Sequence, residues 1–518
     1  MSDKLTSVGP RLVSGSVLRV TGLVASAIVA VFLMPFVVRH LGDRLYGFWA
    51  LASSFIGYYV LLDLGLSSAV SQYLCIAIGR NDPVECRQVC NTALRVNLLL
   101  GAAALVATAA IVAVTPWFSH NAGDTRVFRE AIAILGLGAA LNFPARVYAG
   151  VLDALYRFDI SSWLVILGLV LRTALVVGAL FLGGGLVALA WMTLIATLPV
   201  MLLQVWFARR EAAWARIEIG LANAYRVKSF FSYGLYTLLT YLADILRFQV
   251  DPLVISNLIG LAAVTHYRVA GVFAQYFLQI LILSLGILQP VFSRLHGAGN
   301  RAVIETLFLF GTKLSCCISV FICLALIAWG KPFIDRWMGT PYGDAYPPLV
   351  VLSLAVMLDV CQKPSIDLLY ATFKHRFYAY ANWAEGALNL AFSLALARRY
   401  GILGVAMGTL IGAFVARVLV LPWWVCRVSG FQYGKYMKSL AKNLLYCTGI
   451  MSLATIAVAW GLKPSYPMLI ASATCVTGIY AVGCWLIVLN PSEREQLLTA
   501  VSGLRDKKME STAAGAAL

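Results

Sequence analysis

Charge is what this sequence has least of. Only 12% of its 518 residues are Asp, Glu, Lys or Arg, against 61% that are hydrophobic, whereas an average soluble domain carries about 25% charged residues. A water-soluble fold of this size would have too little polar surface to cover itself. Catalytic signatures are scarce too. There is no GxxxxGK loop followed by Ser or Thr and no HExxH helix, so neither ATP hydrolysis nor zinc chemistry finds support. The five histidines, His40, His120, His266, His296 and His375, are dispersed. The eleven cysteines contain no CxxC pair and none falls in an expected outer loop, so neither a disulfide framework nor a metal site is expected. Cys86 and Cys90, the only near pair on a loop side, read as free thiols.

What the sequence has in abundance is long apolar runs. A helix needs about 20 apolar residues to cross the hydrocarbon core, and such runs recur with short polar breaks. The expected spans lie at about 13–40, 46–78, 92–115, 127–149, 160–182 and 186–207 in a first set. A second set follows at about 228–258, 262–291, 306–329, 345–370, 377–397 and 401–424, with a last pair at about 440–461 and 467–489. The expected fold is therefore an all-α polytopic membrane protein of about 14 transmembrane helices. The first run is too long for a cleaved signal and has no small-residue cleavage site, so it is expected to stay in the mature chain.

The net charge of +17 does not form one basic patch, so no nucleic-acid partner is expected. Lys and Arg instead concentrate in alternate short loops, which places both termini in the cytoplasm by the positive-inside rule. The strongest such loop carries Arg209, Arg210, Arg216, Arg226 and Lys228 and separates the two sets of six. The expected organisation is a cytoplasmic N-terminus at 1–12, an N-lobe bundle at 13–207, a basic linker at 208–227 and a C-lobe bundle at 228–424. A cytoplasmic loop at 425–439, a helix pair at 440–489 and a cytoplasmic tail at 490–518 complete it.

The two sets of six show weak self-similarity. Pro35 in PFVVRHLG recurs as Pro252 in PLVISNLIG, Asp153 in DALY as Asp367 in DLLY, and AWMTLI from Ala190 as AMGTLI from Ala406, all at near-equal offsets. Six is even, so both copies enter from the same side, which makes a parallel repeat with a substrate cleft expected between the halves.

The stretch LGDRLYGFWALASSFIGYYVLLDLGLSSAVSQYL, from Leu41 to Leu74, resembles the first hairpin and DLGL segment of the Wzx-type polysaccharide flippases. That family lies within a superfamily that also holds multidrug and toxin extrusion exporters and lipid II flippases. The helix count and the two sixes fit as well, so the resemblance covers about residues 11–490. It implies two six-helix bundles that move a polyprenyl-diphosphate-linked oligosaccharide from the inner to the outer leaflet of the bacterial inner membrane, driven by an ion gradient. Implied partners are the bilayer, the lipid-linked glycan, a polysaccharide polymerase and a chain-length regulator. No cofactor is implied beyond a coupling H+ or Na+.

Ionisable groups within apolar spans cost a few kcal/mol each by insertion scales, which makes them the best site candidates. Asp244, Arg247 and Asp251 stand at i, i+3 and i+7, within about 60° of one another on the seventh span. Pro252 follows, where the helix should bend and free a carbonyl. This group reads equally as a gate or ion-coupling switch and as a self-neutralised ladder. Asp63 in the DLGL stretch reads first as half of a buried salt bridge and second as an ion-coupling acid. The tenth span carries Asp359, Lys363 and Asp367 at i, i+4 and i+8, and the eleventh carries Asn382, Glu385 and Asn389 on one face. Either stripe serves ion coupling or helix-to-helix hydrogen bonding. Arg417, which follows a Gly404, Gly408, Gly412 ladder, is given no substrate role.

By the resemblance, Arg19 on the first span and Arg268 on the eighth belong to helices that line the cleft, with Arg172 on the fifth. A guanidinium fork suits a diphosphate because it donates several coplanar hydrogen bonds and keeps its charge. Snorkelling is the plainer reading for Arg19. Tyr58, Tyr59, Tyr236, Tyr241 and Tyr276 offer ring faces for sugars, although interfacial Tyr is common. Three rivals stay open: a multidrug exporter of the same superfamily, for which cleft arginines would repel cationic cargo; a glycan polymerase or ligase, for which the outer loops are short; and a scaffold with dispensable cavity charges.

Overall fold

The computed structural model describes residues 8–63, 66–115, 122–215, 242–243, 245–246, 249–285, 288–297, 300–372, 374, 376–459 and 466–495. Among these residues all regular structure is helical. Chain-contact clustering separates two compact units, Met1–Val269 with Asn382–Thr409 and Ala270–Ala381 with Leu410–Leu518.

The first unit opens with α1 (Val8–Tyr58), which turns a corner at Gly42. Gly42 has φ 76° and ψ 162°, a conformation that a side chain disfavours, and there the first expected span gives way to the second. That second span is itself broken into α1, α2 (Val60–Asp63) and α3 (Leu66–Gly79). Next come α4 (Pro83–Val114), α5 (Ala122–Ala154), α6 (Phe158–Phe181) and α7 (Leu186–Glu211). Asp82 caps α4 by accepting from the Val84 and Glu85 amides at 3.0 and 2.9 Å, with Pro83 in the first turn where its missing N–H costs nothing. Helix α5 packs on α3, α4 and α7, and α6 packs on α1 and α7.

Of the seventh expected span the described part is its end, α8 (Asp251–Leu258). The chain turns at 249–250, and Asp251 then opens a new helix with Pro252 in its first turn. The break therefore falls before Asp251 and not after it, because Pro tolerates a first turn and not a helix interior. Helix α9 (Leu261–Leu285) follows. Its first turns lie against α1, where Thr265 donates to the Asp43 carbonyl at 2.6 Å and His266 stands 3.7 Å from the Asp43 carboxylate.

The second unit holds α10 (Leu288–Gly297), α11 (Arg301–Trp337), α12 (Tyr346–Cys361) and α13 (Lys363–Ala371). The 39-residue α14 (Arg376–Phe414) turns at Gly401, with φ 60°, and its middle part, Asn382–Thr409, belongs to the first unit. It runs into a π-helical segment, Val415–Val420, then α15 (Leu421–Ser429), α16 (Tyr433–Ala459), α17 (Tyr466–Gly483) and a second π segment, Cys484–Val488. Helix α11 packs on α12 and α16, and α16 on α17.

Ten stretches of described helix are long and apolar enough to cross a bilayer, and two of them, Thr21–Asp63 and Arg376–Ser429, bend at Gly42 and Gly401. Large apolar side chains stand exposed along these helices, among them Leu99 at 71%, Leu202 at 69% and Leu453 at 71%. A soluble surface rarely carries so many large apolar side chains at this exposure, whereas lipid accepts them.

Candidate functional site

The first unit gathers a polar cluster around one buried acid. Asp251 is 6% exposed. Its Oδ2 accepts from the Tyr267 hydroxyl at 2.5 Å, and Thr409 Oγ1 lies 3.3 Å from the same oxygen. Its Oδ1 accepts from Asn389 Nδ2 at 3.3 Å. Around these, Ser393 donates towards Asn389 Oδ1 at 3.0 Å or the Val405 carbonyl at 3.2 Å. Thr409 Oγ1 is also 3.3 Å from Asn389 Oδ1 and 3.4 Å from the Val405 carbonyl. One hydroxyl proton cannot serve three acceptors, so the oxygens crowd one another.

Local sequence explains the convergence. Asp251 opens α8, Tyr267 sits two turns into α9, and Asn389 and Thr409 lie on either side of the Gly401 turn in α14. The two arms of α14 close tightly because a Cβ on Gly408 would meet Ser393 Oγ at 2.4 Å and Ser393 N at 2.6 Å. Gly404 and Gly408 thus act as the close-packing surface that a small-xxx-small spacing implies. Beside the cluster, Tyr58 donates to the Gln249 carbonyl at 2.8 Å, using a backbone acceptor freed where the chain turns.

Among the described residues no basic side chain pairs with Asp251. That separates it from Asp63, Asp359 and Asp367. Asp63 stands 3.5 Å from Arg146, whose guanidinium also lies 4.9 Å over the Phe143 ring. Asp359 meets Arg417 at 2.8 Å, and Lys363 pairs with Asp367.

The tenth-span stripe is corrected in its geometry. Helix α12 ends at Cys361, Gln362 leaves helical geometry, and α13 begins at Lys363 with Pro364 in its first turn. The interrupted ladder follows from the missing Pro364 N–H, and so Asp359, Lys363 and Asp367 do not form one continuous stripe. Asp359 turns to Arg417, a fully buried residue in the π segment whose guanidinium lies 5.1 Å over the Tyr378 ring. Nothing in the spacing of the sequence pointed to that pair.

The remaining candidates are placed as follows. Glu385 is 1% exposed and Asn382 fully buried on the α14 face that bears Asn389. Arg268, on α9, is half-buried and directly follows Tyr267. It makes no ion pair with another described residue. Arg172 is exposed on α6. The side chain of Arg19, together with Asp244, Arg247, Tyr236 and Tyr241, lies outside the described residues. Residues missed at the level of sequence are Tyr267, Thr409 and Ser393, and the signal for Thr409 was present in the repeated AMGTLI stretch. Cys317, Cys447 and Cys484, dispersed along the sequence, converge, their sulfurs all within 4.8 Å of one another. Three helices bring them together, which CxxC-type spacing cannot register.

A multi-pass helical bundle with broken helices and buried polar residues defines a polytopic α-helical membrane protein. Comparison with solved structures agrees on the fold. The lipid II flippase MurJ in an inward closed conformation superposes with a TM-score of 0.73 at 13% identity, over 91% of this chain and 98% of MurJ. A MATE multidrug resistance transporter in an inward-facing conformation gives 0.68 at 17% identity, over 80% and 98%. A family model described as polysaccharide biosynthesis protein matches residues 12–296, more than half of the chain. The chain belongs to that family. Among its relatives, the uncharacterized membrane protein EpsK of Bacillus subtilis is 20% identical over 92% of this chain and 95% of its own length. A candidate O-antigen transporter of Shigella flexneri is 20% identical over 80% and 98%.

Proposed function

We propose that this protein is a flippase that carries a polyprenyl-diphosphate-linked oligosaccharide across the bacterial inner membrane by alternating access, driven by Na+ or H+ taken up at Asp251. Both termini lie in the cytoplasm in this reading, and a polymerase and a chain-length regulator act on the delivered glycan. The cargo class rests on membership of the polysaccharide biosynthesis family and on the likeness to a candidate O-antigen transporter. The coupling rests on one observation: a buried carboxylate whose described partners are all neutral.

The physics of that acid is simple. An isolated carboxylate in a low-dielectric interior is expensive, so it is held neutral by a proton or by a bound cation. The donors at hand are hard oxygens: the two of Asp251, Asn389 Oδ1, Thr409 Oγ1 and the Val405 carbonyl. Hard oxygens suit a hard cation. Sodium is close to calcium in radius, and metal–oxygen distances of about 2.3–2.6 Å space adjacent octahedral donors about 3.3–3.7 Å apart. Thr409 Oγ1 stands 3.3 Å from Asp251 Oδ2, 3.3 Å from Asn389 Oδ1 and 3.4 Å from the Val405 carbonyl. A small rotation of the Asn389 amide away from Asp251 presents its oxygen inward. Three helical segments then share one ion, so its arrival or loss changes how they pack.

For cargo, Arg268, Arg172 and Arg19 supply guanidinium forks that replace water around the diphosphate, whose bare passage through hydrocarbon would carry a large Born penalty. Asp63 is assigned to the Arg146 pair and Asp359 to the Arg417 pair, with Glu385 beside the ion cluster and Lys363 neutralising Asp367. Asp244 and Arg247 complete the ion path in this reading. The test is glycan export in cells that depend on this protein. Arg268→Ala is expected to abolish export while membrane insertion stays normal, whereas normal export by a correctly inserted Arg268→Ala protein contradicts the cargo assignment.

A further inference from the structure

We infer that Cys317, Cys447 and Cys484 form a buried site for a soft, monovalent d10 metal ion of the copper(I) class, distinct from the ion and cargo chemistry above. The three sulfurs lie within 4.8 Å of one another, and the Cys447 thiol points at Cys317 Sγ at 3.6 Å. All three residues are at most 8% exposed. They come from three elements of the second unit: the middle of α11, the middle of α16 and the π segment that Cys484 opens.

Two features of the chain bring them together. A Cβ on Gly483 would meet Ile450 Cγ2 at 2.5 Å, so glycine lets α17 approach α16 this closely without displacing Ile450. The helix then widens into a π segment immediately afterwards, at Cys484. Such segments insert an extra residue, re-aim side chains and recur at functional sites. The plain alternative is that cysteine serves as a small apolar filler among Val320, Met451 and Val476, as free cysteine commonly does. Filler would account for each cysteine separately, but it does not call for three thiols from three elements to meet at one point.

Ligand type and charge select the ion. Sulfur-only donor sets favour Cu(I), zinc and iron–sulfur clusters. Structural zinc takes four ligands, and among the described residues no fourth Cys, His, Asp or Glu joins the three. A monovalent d10 ion is content with three sulfurs. Its binding with release of a single thiol proton leaves a centre of zero net charge, two thiols and one thiolate around one positive ion, which is the least costly state in an apolar interior. One turn from Cys317 along α11, Lys313 pairs with Glu493 at 2.7 Å. Cys316 faces Cys361 at 3.7 Å and lies outside the trio.

The experiment uses the full chain, reduced and anaerobic in detergent, titrated with Cu(I) against a chromogenic chelator. One bound equivalent with thiolate-to-copper absorption is expected. Cys447→Ser and Cys484→Ser should each weaken binding by about tenfold or more, and Cys316→Ser and Cys361→Ser should leave it unchanged. Binding by the Cys317→Ser, Cys447→Ser, Cys484→Ser triple variant equal to wild type overturns the assignment, as does displacement of Cu(I) by equimolar Zn(II). Copper X-ray absorption of the wild-type protein needs no variant: three sulfur neighbours are expected, and a first shell of nitrogen and oxygen contradicts the site.

Discussion

Asp251 in the first unit and Asp359 in the second are both buried acids within membrane-spanning helices, yet their surroundings solve the same electrostatic problem in opposite ways. Asp359 has a permanent counter-charge in Arg417, so its ionisation is fixed and its role is to hold α12 to the π segment after α14. Among the described residues Asp251 has a phenol, an amide and a hydroxyl, none of which carries charge, and in the proposed reading an exchangeable proton or cation neutralises it. A paired acid is a structural bolt. In the proposed reading, a buried acid among neutral donors is the ion-binding site.

Substitutions can break or sharpen that contrast. The largest effect on stability is expected for Arg417→Met, which strands Asp359 in a buried position and should cost about 3–5 kcal/mol, read as loss of folded, monodisperse protein in a thermal melt. Adding Asp359→Leu in the same chain should recover most of the loss, because two apolar groups need no counter-charge. Failure of the double variant to recover would mean that Asp359 has work beyond the pair. Next in size is Gly408→Val, whose branch collides with Ser393 and prises apart the two arms of α14. A loss of about 1–3 kcal/mol is expected, together with weaker cation binding, and an unchanged melt would show that the close approach is not required.

At Asp251 the expectation reverses. Asp251→Asn removes a buried charge without changing shape, so the melt should stay level or rise while ion-dependent transport falls by about tenfold or more. A strong destabilisation would place Asp251 with the structural acids instead. The smallest effect is expected for Thr409→Val, which deletes one neutral donor and keeps the volume. Cation affinity should drop by a few fold, about 0.5–1.5 kcal/mol for one hydrogen-bonding group, seen as a shift in the half-saturating ion concentration.

Much of the architecture was legible in the sequence because hydropathy is a local property. Described helix falls on the expected spans of the first six and the last seven positions, ten described stretches being long and apolar enough to cross a bilayer, with differences where glycine joins two spans into one bent helix at Gly42 and Gly401 and where the second and tenth spans are interrupted. Asp251 was legible as a charge in an apolar run, and the break beside it was legible from Pro252, although the turn falls at 249–250, ahead of Asp251. The partners were not. Asn389 lies 138 residues from Asp251 and Thr409 lies 158 away, and Asp359 finds Arg417 through a π segment that no propensity scale marks. The cysteine trio is hidden for the same reason, since its meeting point is a product of three helices packing and not of any spacing along one.

The most direct measurement is flipping of a fluorescent polyprenyl-diphosphate glycan by wild-type and Asp251→Asn protein in proteoliposomes, with sodium and proton gradients imposed in turn. The account predicts that one of the two gradients accelerates the wild type and that neither accelerates the variant. Transport that ignores both gradients in the wild type, or a variant that still responds to them, would contradict it.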